Sequence, residues 1–176
     1  YILVLIMNTV KILNTTISAT SIIEVSNNLN YENSLKVAIC NTNTVVRSYR
    51  NDQLSNIINS FDIKTPDGFP IAKSSSILYK NGQSRVDGYN VLLTTINDGL
   101  IKNTSHYFYG SEDLVMKKMI EKLRNDFPNI NIVGSSSPPV GSYDELVQEE
   151  YVKDIIDAKP DIVWVSLGFP KQELFI

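Results

Sequence analysis

The second half of this chain alternates between two hydrophobic periods, and that alternation constrains its fold more than any other feature. His106 to Tyr109 is a short apolar run that reads as a strand. Gly110 then turns the chain into a segment where Met116, Met119, Ile120, Leu123 and Phe127 recur at helical spacing. Glu112 and Asp113 stand in its first turn and Lys117 and Lys118 later, the order that the helix dipole favours. A second strand is expected at Asn131 to Val133, followed by a polar loop with Pro138-Pro139, a helix over about 143–157 and a strand over 161–167. The last strand holds Ile162-Val163-Trp164-Val165, an apolar run without alternation, as expected of a strand covered on both faces. Strands separated by helices predict an α/β fold, layered α/β/α with a largely parallel sheet and a Rossmann-like second half.

The first half follows the same grammar less clearly. Strands are expected at Val10 to Leu13, Leu35 to Cys40 and Asp62 to Lys64. Helices are expected over Ala19 to Leu29, roughly 44–58, about 69–79 and 88–102. There is no internal repeat, low-complexity tract or Gly/Ser linker, and 176 residues suffice for one core, 1–176, or two lobes of about 1–103 and 104–176. Hydrophobic residues at 43% and charged residues at 20% describe an ordinary globular chain. The net charge of −3 argues against a general grip on nucleic acid, which wants a basic face. Cys40 is the only cysteine and sits in an apolar run, so it reads as core packing in a chain without an internal disulfide. The opening YILVLIM is too short to span a membrane and lacks the flanks of a secretory signal. Met7 is a candidate translation start.

In open α/β sheets ligands collect at the carboxyl ends of strands, which selects four loops. Asn41-Thr42-Asn43-Thr44 offers short polar side chains that could read sugar hydroxyls or a base edge, or could simply cap a helix. Thr65-Pro66-Asp67-Gly68 is a turn sequence, and it also leaves a lone carboxylate at a strand end, where a general base can stand. Tyr109-Gly110-Ser111-Glu112 could support a nucleotide edge but carries no dinucleotide fingerprint. In Gly168-Phe169-Pro170-Lys171-Gln172-Glu173, a glycine turns the strand end and Pro170 suits the first helical position. There Gly168, Lys171 and Gln172 present N–H groups, a cation and an amide where a diphosphate fits. Between these loops Arg85, flanked by Gly82 and Gly88, is a cation for a phosphate or for a carboxylate such as Asp87. His106, the only histidine, reads as structural. No His/Cys cluster, Asp-x-Asp pair, Gly-x-Ser-x-Gly or P-loop is present, so no metal site is expected and several common enzyme classes are excluded.

Taken in order, these segments resemble the WecG/TagA/CpsF glycosyltransferases (glycosyltransferase family 26). The resemblance runs from about residue 10 to 176 and rests on Asn43 after a strand, Thr65-Pro66-Asp67-Gly68-Phe69-Pro70, Arg85-Val86-x-Gly88, Tyr109-Gly110-Ser111-Glu112 and Leu167-Gly168-Phe169-Pro170-Lys171-Gln172-Glu173. It implies transfer, with inversion and without an obligatory metal or other cofactor, of a sugar from a UDP-sugar to a polyprenyl-diphosphate-linked sugar. The place implied is the cytoplasmic face of the membrane, in teichoic-acid, common-antigen or exopolysaccharide synthesis. By the resemblance Asp67 is the general base, Gln172 contacts the donor, and Asn43 and Arg85 are further pocket positions. Thr42, Gly110, Gly168 and Lys171 join them as substrate-binding candidates on the local grounds above. It also implies a basic, partly helical tail beyond residue 176 that meets the membrane and brings further arginines. The loop 134–142 departs from the family's usual short Gly-Tyr/Phe turn. An incomplete pocket invites a second copy of the chain, and the competing reading is a non-catalytic nucleotide- or glycan-binding remnant of the same core. A third reading is an α/β domain whose polar turns are only caps.

Overall fold

The computed structural model describes residues 8–31, 34–139, 141 and 149–176. The apolar opening 1–7, with Met7, and the start of the expected 143–157 helix lie outside the described residues. Two compact units divide the chain, Tyr1–Thr95 and Ile96–Ile176.

In the first unit, β1 (Thr9–Ile12) and β2 (Thr15–Ser18) form an antiparallel hairpin with Val10 opposite Ile17. Alternation buries Val10 and Ile12 and exposes Thr9 and Lys11, the period-2 pattern of a half-buried strand. The sequence reading missed β2, whose Thr-Thr-Ile-Ser composition carries little hydrophobic signal. Asn59 holds the hairpin from outside: its Nδ2 donates to Asn14 O (2.9 Å) and its Oδ1 accepts from Thr16 N (2.9 Å).

Helix α1 (Ile22–Tyr31) starts later than expected, because Ser21 and Glu24 form a reciprocal capping box. Ser21 N donates to Glu24 Oε2 at 2.8 Å, and Glu24 N donates to Ser21 Oγ at 3.2 Å. Strands β3 (Val37–Cys40) and β4 (Ile63–Pro66) pair in parallel with Cys40 opposite Pro66. The single helix expected between them is two, α2 (Thr42–Tyr49) and α3 (Asp52–Asn59). Asn51 breaks the run by leaving helical geometry and accepting Leu54 N on its side chain at 3.0 Å. Then follow α4 (Phe69–Tyr79) and α5 (Gly88–Gly99), within which the division between units falls. Cys40 is fully buried, as expected of core packing. Lys64 is buried too, its ammonium donating to Phe61 O, and burial lowers its pKa.

The second unit holds β5 (Ser105–Gly110), α6 (Asp113–Asp126), β6 (Asn131–Ser136), α7 (Glu149–Ala158), β7 (Ile162–Ser166) and α8 (Lys171–Phe175). All three strands are parallel in the order β6-β5-β7. The chain therefore leaves β5 in one direction, returns past it, and reverses across the sheet at the β5/β7 boundary, the switch point of a doubly wound sheet. β5 is the central strand and is buried from His106 to Gly110. In β7 only Ile162 is buried, while Val163, Trp164 and Val165 are half-buried, so the strand expected to be covered on both faces is β5 instead. Asp161 clamps the amino ends of both strands, its carboxylate accepting from Ser105 N and Oγ at 2.7 Å each.

The α/β class and the parallel pairing are borne out, but among the described residues the strands form two parallel sheets and one antiparallel hairpin rather than one sheet. Among the described residues no helix is long and apolar enough to cross a membrane.

Candidate active site

In the first unit the carboxyl ends of β3 and β4 gather four of the expected site residues. All four residues of β4 are buried, and the strand delivers Asp67 at its end. Asp67 N donates to Cys40 O at 3.0 Å, which sets Asp67 against the end of β3 beside the start of α2. Gly68, at φ +81°, then turns the chain into α4, a conformation that glycine reaches without the strain a side chain adds.

Arg85 comes to this edge from a loop anchored at both ends. Gln83 brackets Thr20, its Oε1 accepting from Thr20 N (3.1 Å) and its Nε2 donating to Thr20 O (2.6 Å). Val86 N donates to Pro66 O at 3.1 Å and draws the loop alongside the end of β4. Arg85 Nε then donates to Asp67 Oδ1 at 3.0 Å. The carboxylate side chain is 18% exposed and the guanidinium side chain 58%, so the pair faces solvent with the acid recessed.

Asp87, the other carboxylate considered for Arg85, caps α5 instead. It accepts from Asn90 N (3.1 Å) and Asn90 Nδ2 (2.8 Å). Burial pushes its carboxyl up, but these bonds and the Arg85 charge outweigh burial and hold it below the usual carboxylate value. The Asp67 hydrogen bond likewise holds the Arg85 guanidinium above its ordinary value.

Asn41 is the cap of α2, accepting Thr44 N at 3.1 Å. Thr42 and Asn43 follow it, exposed on the first turn. The capping reading of this loop thus holds for Asn41, and Thr42 and Asn43 are left exposed beside it.

In the second unit the remaining expected residues lie at the carboxyl ends of β5 and β7, the switch point. Gly110 has φ +109°, and a Cβ there would stand 2.3 Å from Ser166 O. Ser111 N donates to that same carbonyl at 2.8 Å. Gly110 is therefore required for close approach of two backbones, and Glu112 and Asp113 at the start of α6 make the turn unfavourable for an anion. Gly168, at φ +75°, has open space where a Cβ would go.

Helix α8 begins at Lys171 with Pro170 as its cap, one residue later than expected. Its polar side chains are already engaged. Gly168 N donates to Gln172 Oε1 (3.2 Å), Gln172 Nε2 donates to Glu173 Oε1 (3.0 Å), and Lys171 Nζ donates to Gly141 O (2.6 Å). Lys171 is thus tied to the preceding loop rather than held out as a lone cation.

Glu173 is the residue that the sequence did not single out. It is 4% exposed, its Oε2 is buried without a partner among the described residues, and burial pushes its carboxyl up. A glutamate after Lys-Gln reads as a solvated first turn, and no local pattern gives away its burial. Tyr109 and Phe175, distant in sequence, stack at 4.6 Å between ring centroids. His106 is structural, as expected: it is buried and its Nδ1 accepts from Trp164 Nε1 at 3.2 Å.

The Glycosyl transferase WecG/TagA/CpsF family model matches residues 10–176. The chain belongs to that family. Its curated relatives include an N-acetylglucosaminyldiphosphoundecaprenol N-acetyl-beta-D-mannosaminyltransferase of Bacillus spizizenii strain W23, 33% identical over 127 residues, covering 72% of this chain and 48% of that protein. A protein of the same name from Bacillus subtilis strain 168 is 33% identical over 122 residues, covering 68% of this chain and 45% of the relative. The chain spans about half the length of these relatives.

Within this WecG/TagA/CpsF member, a groove of about 580 Å3 runs between α6 and β6 past Lys117, Glu121, Arg124 and Ser135, and it contains none of the site residues expected from the sequence. Asp67 and Arg85, a recessed carboxylate paired with a cation, are not among its lining residues. Among the described residues, no three His, Cys, Asp or Glu side chains group as a metal site requires.

Proposed function

We propose that this protein is an inverting glycosyltransferase that moves a sugar from a UDP-sugar to a polyprenyl-diphosphate-linked N-acetylglucosamine, in the assembly of a bacterial cell-surface polymer. Family membership and the relatives' printed activity support the reaction class and the acceptor. One observation carries the mechanism: Asp67 is a recessed carboxylate at a strand end, with Oδ1 held by Arg85 at 3.0 Å and no hydrogen bond to Oδ2 among the described residues.

In this reading Oδ2 takes the proton of the acceptor hydroxyl as its oxygen forms a bond to the anomeric carbon. The bond from that carbon to the UDP oxygen breaks on the opposite face, and UDP leaves with the electron pair. Arg85 fixes the carboxylate's orientation through Nε and keeps its two terminal amino groups for an anionic substrate oxygen. Thr42 and Asn43, exposed where α2 starts, supply hydroxyl and amide groups for sugar hydroxyls. Taken by itself, the switch point of the second unit offers Gln172 and Gly168 as candidate nucleotide contacts, at the usual ligand position in such sheets. The reaction as written uses no metal. The complete protein works peripherally at the inner face of the cytoplasmic membrane, where the acceptor resides.

The test offers the complete protein N-acetylglucosaminyl-diphospho-lipid and a panel of nucleotide sugars, and follows the lipid product by mass. Addition of one N-acetylhexosamine or hexose from a UDP-sugar supports the reading. Ligand binding without any transfer, under conditions where a characterised relative is active, replaces it with the non-catalytic module.

A further inference from the structure

The helix that follows Asp67 exposes apolar side chains on the face turned away from its core. In α4 the residues Ile71, Ala72 and Ser75 are buried, as one stripe of a packed helix should be. On the opposite side Phe69 is 73% exposed and Ile77 62%, whereas Leu78, also exposed, lies i+3 from Ser75 at the end of the buried stripe. Phe69, Lys73 and Ile77 follow at i, i+4 and i+8, so one lysine sits inside an apolar stripe. A helix apolar on both sides is ordinarily enclosed by protein or met by lipid.

The charges choose between these. The segment 68–86 contains Lys73, Lys80 and Arg85 and no carboxylate, in a chain whose net charge is −3. Neither Lys73 nor Lys80 has an ion-pair partner among the described residues. A protein interface core is depleted in lysine, whereas a helix lying in a lipid interface combines Phe and Leu with lysines that extend to the headgroups.

We propose that the outer face of α4 is a docking surface for an anionic lipid bilayer, with Phe69 and Ile77 entering the interface and Lys73 and Lys80 meeting headgroup phosphates. The proposal deepens the acceptor reading above and rests on it for its purpose. The docked helix starts two residues past Asp67, so docking brings the carboxylate to the level where a lipid-diphosphate-linked sugar emerges.

The test is co-sedimentation of the 176-residue chain with phosphatidylglycerol-containing vesicles and with pure phosphatidylcholine vesicles. The parent is compared with Phe69→Ser/Ile77→Ser and Lys73→Glu/Lys80→Glu, each checked by thermal melting for retained fold. The parent should prefer the anionic vesicles. The serine pair should weaken binding at least about tenfold, as removal of large side chains from an apolar environment implies. The glutamate pair should weaken it by roughly fivefold or more per lysine. Equal binding by all three proteins overturns the proposal. So does self-association of the parent that the serine pair abolishes while vesicle binding is unchanged, since the stripe is then a face between copies. Transfer to a detergent-solubilised short-chain acceptor is measured in parallel with the complete protein. If that transfer is absent while vesicle binding follows the expected order, the acceptor reading falls and the lipid surface stands.

Discussion

Arg85 reaches across eighteen positions of sequence to place its Nε 3.0 Å from Asp67 Oδ1, and the backbone bond from Val86 N to Pro66 O holds that approach in place. The pair is exposed on the arginine side, so its value lies in aim rather than in stability. Arg85→Ala should leave the melting temperature near the parent's while initial rates of transfer fall about 10²-fold, the scale of a misplaced catalytic group. Arg85→Lys should recover only part, because an ammonium lacks the planar fork. Parallel loss of melting temperature and rate would make Arg85 a fold residue instead.

Two glycines at the switch point should respond very differently to a methyl group. Gly110→Ala places its Cβ 2.3 Å from Ser166 O, so its cost should exceed the roughly 1–3 kcal/mol of backbone strain alone. Gly168→Ala meets open space and should stay within about 1–2 kcal/mol, the strain of a left-handed residue. Urea unfolding of both variants measures the difference, and equal costs would contradict the β5/β7 approach described here.

Glu173 bears a pH-dependent cost. Burial raises its folded pKa above the unfolded value, so the ionised form opposes folding and the cost grows as pH rises above about 4.5. Glu173→Gln should therefore raise the melting temperature by a few degrees at pH 7, and the gain should shrink toward pH 4. A variant less stable than the parent at pH 7 would show that the buried carboxylate has a stabilising partner.

His106 acts in the opposite direction. Burial lowers its pKa to about 4, with the Asp161 charge opposing, so the fold holds it neutral while the unfolded chain takes up a proton below about 6.5. Stability from this group is complete above pH 6.5 and declines as pH falls toward 4, by on the order of 2–3 kcal/mol. His106→Asn, which keeps an acceptor for Trp164 Nε1, should lower overall stability but flatten that slope. Because His106 is the only histidine, an unchanged slope would mean that the imidazole is not buried neutral.

The parts of the fold legible in sequence were those with long periodic signals. Met116 and Leu123 are buried in α6 as their spacing implies, and β5 and β7 lie where their apolar runs put them. Shorter signals were overridden locally. Leu13 takes φ +54° in a hairpin turn that residue type does not announce, which hid β2. Asn51 and the Ser21/Glu24 box carried legible capping signals that the longer apolar pattern overshadowed. Among the candidate site residues of the two units, Asp67, Asn43 and Gly168 were legible as strand-end polar or turn residues. The choice of Asp67 over Asp87 by Arg85 was not, because it depends on a backbone hydrogen bond between distant segments. Glu173 was hidden for a related reason: its burial is a tertiary property that no neighbouring residue encodes.

The most direct test of the central claim is the rate of acceptor-dependent UDP release by the complete protein carrying Asp67→Asn, measured beside donor binding. Loss of the base should lower turnover by about 10²–10⁴-fold, the usual contribution of general base catalysis, with donor binding intact. Release near the parent rate would contradict the account, since the proton of the acceptor hydroxyl would then be leaving by another route.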